Sequence, residues 1–327
     1  RLKRIEIEPD YETWKEYAYK KGVHASVMTY LAARKKDFYK IENAADGKHF
    51  VTARGWDDLS EMIKLYEENG LAVDEQLICQ YLQDARISKD FAIYYDLFNK
   101  YRSDYQVEKI LDGTVSESIV LRAERASMDE RLSLLGLIFD SVTAQLRTVC
   151  ERENILDLVT GQLKTLKEKL KDVSGAAALL SEMIEAEREK LERGKQSSSI
   201  SPQAQRETRF MLEYLEEFRA AVMQSGSAQK DEFSIVRESF VQKVAELKGL
   251  AADGGRALEN VFSFCEKAFA DGDELLIFVT ELTANYYSAR FIGRYGCDRY
   301  YMHNKQLQFD QRQQEIIKRM DEIQWTV

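Results

Sequence analysis

The chain has 327 residues, only 2 of them proline and 16 glycine, with 44% hydrophobic and 31% charged residues and a formal net charge of -9. So few helix breakers among so many Leu, Glu, Lys, Ala and Arg predict an all-α protein long enough for two or three domains. The acidic balance, with a pI near 5.2, counts against a dedicated nucleic-acid binder, whose phosphate contacts need a basic face.

The opening ten residues read as a strand: Ile5 and Ile7 alternate with Arg4, Glu6 and Glu8. No second strand is expected, and a lone strand leaves its backbone groups unpaired. Either it is a surface tail or its sheet lies outside this chain, which begins at Arg1 and reads as an excised piece. Asp10 then caps a helix that stops at Gly22. A second helix is expected from about His24 to Arg34, and 35–53 reads as irregular. Asp57 is expected to cap the next helix, which ends at Gly70; Asp74 begins a short one. Helices over about Ile87–Lys100 and up to Gly113 complete a compact helical module, residues 1–113.

Residues 114–327 predict a bundle of longer, coiled-coil-like helices. Leu132, Leu135, Phe139, Val142, Leu146 and Val149 follow heptad spacing. Glu153 breaks that seam, and it resumes, shifted, from Leu156 to Val173. Another amphipathic helix covers 176–193, and "GKQSSSISPQAQ", 194–205, reads as a polar linker. Helices are then expected over 203–224 and 230–250, a turn at "AADGG", 251–255, and helices over 256–270, 273–292 and 298–323. The longest uninterrupted apolar run, Leu275 to Val279, is far too short to span a bilayer. Cys79, Cys150, Cys265 and Cys297 form no CxxC pair, and with three histidines no zinc cluster is expected. They read as reduced thiols of a cytoplasmic protein.

No phosphate-binding loop, acid-ended strand, HExxH or GxSxG occurs, so the chain holds no complete nucleotidase, protease or esterase site. The best single candidate is Arg54. Thr52 and Gly55 fix its backbone, Trp56 can anchor it, and Asp57 starts the helix behind it. An arginine at a helix N-terminus stands where anions are already favoured, and its planar fork suits phosphate oxygens. A plain surface arginine is the competing reading. The stretch 280–301 interleaves Tyr286, Tyr287, Phe291, Tyr295, Tyr300 and Tyr301 with Arg290, Arg294 and Arg299. That pattern could grip a single-stranded nucleic acid, but a packed helix with paired arginines fits the acidic chain better. His24, His49 and His303 are isolated and read as structural.

"RLKRIEIEPDYETWKEYAYKKGVH", "GKHFVTARGWDDLSEMI" and "ISKDFAIYYDLFNKY" together resemble the lid region of AAA+ ATPases of the MoxR family, over about residues 1–112. The resemblance implies that Arg54 is the sensor-2 arginine, reaching the γ-phosphate of ATP held between core and lid. It implies that Arg1 matches the arginine of the D-R-[FL] segment that ends the family's core, acting across a ring interface. Walker A, Walker B and sensor 1 are absent, so the chain alone should not hydrolyse ATP. The missing N-terminal core would hold ATP and Mg. The implied parent is a ring homo-oligomer that remodels partner proteins, with a von Willebrand factor A-domain protein as a partner class. The alternative is a non-enzymatic helical scaffold, in which Arg54 is structural.

Overall fold

The computed structural model describes residues 8–44, 47–171, 175–197, 199–225, 232–270 and 272–305, and the fold is all-α. In chain order come α1 (Tyr11–Lys21), α2 (Ala25–Ala33), a 3-10 turn (Lys35–Asp37), β1 (Lys40–Ala44), β2 (Gly47–Val51), α3 (Ala53–Glu68), α4 (Glu75–Tyr81) and α5 (Ala85–Tyr105). Then follow α6 (Val107–Leu111), α7 (Glu117–Arg125), α8 (Met128–Lys169), α9 (Ala176–Gln196), α10 (Pro202–Ser225) and α11 (Glu232–Phe269). Last come α12 (Asp273–Ala284), α13 (Tyr286–Tyr295) and a helix over 298–305.

Several ends form as the sequence implies. Asp10 accepts from Thr13 N at 2.7 Å and Asp74 from Leu77 N at 2.9 Å, each occupying a first-turn amide. Gly22, at φ 75°, takes the left-handed turn that stops α1. Three expectations, on 35–53, Asp57 and 251–255, are corrected. The stretch 35–53 is not irregular: β1 and β2 pair antiparallel, with Ile41 opposite Phe50. Asp57 lies inside α3, and Thr52 is its cap. The stretch on both sides of Glu153 is one helix, α8, which runs unbroken for 42 residues with that side chain buried. "AADGG" is no turn but the middle of α11, 38 residues long. The expected strand at 1–7, Val173 and residues 306–323 lie outside the described residues.

The chain divides into two compact units, one up to Ala144 and from Gly255 onward, the other Gln145–Gly254. The first unit has two apolar clusters. One gathers Trp14, Val27, Leu31, Trp56, Ile63 and Phe91 from α1–α5. The other joins Phe98 and Ile110 to Leu134, Ile138, Phe262 and Phe278. Gly113 therefore lies within this unit, and Asn260 Nδ2 donates to the Leu111 carbonyl at 2.8 Å, tying α6 to α11. In the second unit Leu156, Val159, Leu180, Leu215, Phe218 and Val236 pack together from α8, α9, α10 and α11. By length and composition α8 holds an 18-residue window apolar enough to cross a bilayer, but 56% of that window is buried within the protein, as in a core helix.

Candidate functional site

The ground around Arg54 is built by the hairpin and by α3. Phe50 exchanges two backbone hydrogen bonds with Gln83, at 3.0 and 3.1 Å, which fastens β2 to the loop between α4 and α5. Lys40 Nζ, on β1, lies 2.7 Å from Asp84, whose other oxygen accepts from Ile87 N at 3.0 Å and caps α5. Burial works against the Asp84 charge, but Lys40 and the Ile87 amide outweigh it and lower its pKa. The chain leaves β2 at Val51, fully buried, and enters α3 at Thr52.

Thr52 Oγ1 accepts from Gly55 N at 3.3 Å. Gly55 lies against the C-terminal turn of α4: a Cβ there would stand 2.7 Å from the Tyr81 carbonyl oxygen. Trp56 is 0% exposed, between Tyr30 (5.7 Å between ring centroids) and Phe91 (5.3 Å). Its Nε1 donates to the Asp37 carbonyl at 3.3 Å. The Asp37 carboxylate, 1% exposed, accepts from Tyr30 Oη at 3.0 Å and from Arg86 at 2.8 Å. Asp57 points back to α1, 3.3 Å from Lys21 Nζ. Burial works against the Lys21 ammonium, yet the Asp57 carboxylate prevails and raises its pKa.

Three of the four flanking residues, Gly55, Trp56 and Asp57, thus bind α3 to its neighbours, and Thr52 starts it. Arg54, at the second position of α3, is held outside: its side chain is 90% exposed, and Asp58, one turn on, lies 3.5 Å away. A pair that open is worth a few tenths of a kcal/mol at most, so the guanidinium can exchange Asp58 for another oxyanion. Arg1 lies outside the described residues.

The 280–301 block divides. Tyr287, Phe291 and Tyr300 are buried, whereas Tyr286, Tyr295 and Tyr301 are exposed. Arg299 pairs with Glu259 at 3.1 Å and Glu266 at 2.5 Å. His24 caps α2 and contacts Glu67 at 3.1 Å, and His303 lies 3.0 Å from Glu266. Among the described residues no cluster of three His, Cys, Asp or Glu side chains could hold a metal, and none of the four cysteines is in a disulfide, with only Cys79 partly exposed.

The positioning residues Asp37, Lys40, Asp84 and Arg86 escape a reading by motif, because their partners are distant in sequence. Asp46-Gly47, a strong hairpin signal, is the one local sign of the β1–β2 pair. No protein-family model matches the chain, and neither a curated protein nor a solved structure is significantly similar to it.

Proposed function

We propose that this chain is the nucleotide-sensing lid and C-terminal helical extension of a MoxR-type AAA+ ATPase, a cytoplasmic machine that remodels or matures partner proteins. The observation that supports this reading is Arg54: a guanidinium 90% exposed, on a helix entry whose other residues are locked by Tyr81, Asp37 and Lys21. The rigid helix entry fixes where the arginine starts, and its exposed guanidinium, now beside Asp58, can turn to a phosphate whose charge it would stabilise. ATP with Mg supplies the transferable phosphoryl group, and their ligands fall to an AAA+ core outside these residues. Arg54 fits that group, because among the described residues phosphate competes with a solvent-exposed Asp58 alone. In this reading the core joins at the N-terminal side, the parent forms a homo-oligomeric ring, and the long helices face a partner that bears a von Willebrand factor A-type domain.

The test is Arg54→Ala in the ATPase that includes the core. Turnover should fall about 100-fold or more, while the urea midpoint stays within experimental scatter. Parallel loss of stability and turnover would instead favour a non-enzymatic helical scaffold. That rival has its own support in the unbroken 42- and 38-residue helices α8 and α11.

A further inference from the structure

The second unit holds a cavity of about 280 Å³ between α8, α10 and α11. Its apolar wall is Leu156, Leu247 and Leu250. Two cations enter it, and they are satisfied differently. Lys243 Nζ lies 2.7 Å from Glu217 and 3.9 Å from Glu246, and 4.6 Å from the centre of the Tyr214 ring. Burial opposes its charge, but Glu217 prevails and its pKa is raised.

Arg152 has no such partner. One of its terminal nitrogens donates to Tyr214 Oη at 2.6 Å, and its guanidinium lies 5.1 Å from the centre of the Phe210 ring and 6.0 Å from that of Tyr214. Among the described residues it pairs with no carboxylate, although three glutamates line the same cavity and the chain carries 56 acidic against 47 basic residues. A guanidinium is planar, with five N–H donors in a fixed fork; the phenol takes one, and the rings of Phe210 and Tyr214 lie beside it.

We infer that this cavity is a binding site for a small monocarboxylate with an apolar body, an aryl- or alkyl-carboxylic acid. The carboxylate takes the open edge of Arg152, and the body lies on Leu156, Leu247 and Leu250. Glu213, Glu217 and Glu246 line the same space, so a second negative charge on the ligand is repelled; nucleotides and other polyanions are selected against. The volume lies below the roughly 300–1,000 Å³ of drug-sized sites, which sets the ligand small. The site shares no residue with the Arg54 region and does not depend on the ATPase reading.

The test titrates the 327-residue chain with three probes that share a phenyl-alkyl body: 4-phenylbutyrate, 4-phenylbutanol and, as the dianion, (3-phenylpropyl)malonate, whose two carboxyls are both ionised at neutral pH. Heat of binding and the Nε–Hε resonance of Arg152 are read together. The carboxylate should bind at least about tenfold tighter than the alcohol, as a charge-assisted pair allows, and tighter than the dianion. Arg152→Gln should bring acid and alcohol to equal affinity. Equal binding of acid and alcohol to the unsubstituted chain overturns the inference. So does a preference for the dianion, or no saturable shift of the Arg152 resonance up to roughly ten times a 1 mM Kd.

Discussion

Gly55 and Tyr81 meet where two helix ends cross: a Cβ on Gly55 would stand 2.7 Å from the Tyr81 carbonyl oxygen. The obstacle is backbone at the end of α4, which cannot rotate away as a side chain could. Gly55→Ala should therefore destabilise the protein, by about 1–2 kcal/mol once the better helix propensity of alanine is set against overpacking. Urea unfolding read by circular dichroism measures it. A midpoint equal to or above that of the parent would show that α3 and α4 separate freely.

Arg54 and Arg86 lie on neighbouring elements and should behave oppositely. Arg86 reaches the Asp37 carboxylate at 2.8 Å, and that carboxylate is 1% exposed. Removing the guanidinium leaves a buried charge with Tyr30 as its remaining donor, so Arg86→Ala should cost about 2–3 kcal/mol. Arg54→Ala, on an exposed pair, should change stability by less than about 0.5 kcal/mol. Comparable losses in denaturant melts of the two variants would contradict the division between a structural arginine and an exposed one.

The two arginines also mark what could be read from the residues. Helix starts at Asp10 and Asp74, and the stop at Gly22, depend on interactions within one turn, so the local order of residues carries them. The burial of Trp56 was legible from its place beside a helix entry. The cap was not, because Thr52 and Asp57 are both competent and the choice is made elsewhere: β2 delivers the chain at Thr52, while Lys21 occupies Asp57. The link from Arg86 to Asp37 spans 49 positions, and that from Lys40 to Asp84 spans 44. Neither leaves a spacing to recognise.

Acid should weaken the base of the hairpin. The Asp84 pKa lies below its ordinary 3.8, because Lys40 and the Ile87 amide overcome burial. A carboxylate with a depressed folded-state pKa contributes its full stability above its unfolded-state pKa and loses it as pH falls through the folded-state value. Stability from Asp84 should be flat from neutrality down to about pH 5 and decline below about pH 4. Asp84→Asn keeps a competent cap for α5 and removes the charged link to Lys40, so its urea midpoint should fall less steeply between about pH 5 and pH 3. An unchanged acid slope would show that Asp84 contributes nothing to it.

The middle of α11 offers a test in the opposite direction. Gly249 and Gly255 are helical, and a Cβ added at either meets nothing within 4 Å. The dipeptide at 254–255 has the look of a turn, but Ala251, Ala257, Leu258 and Val261 are buried on either side of it, and their packing carries the helix through. Glycine in such a place costs backbone entropy with no steric need for it. Gly249→Ala and Gly255→Ala should each stabilise the protein by about 0.5–1 kcal/mol, and the sites lie far enough apart along the helix for the gains to add. A real turn at 251–255 would reverse the result at Gly255 alone, so thermal melts of the two single variants and the double variant separate a continuous α11 from a broken one.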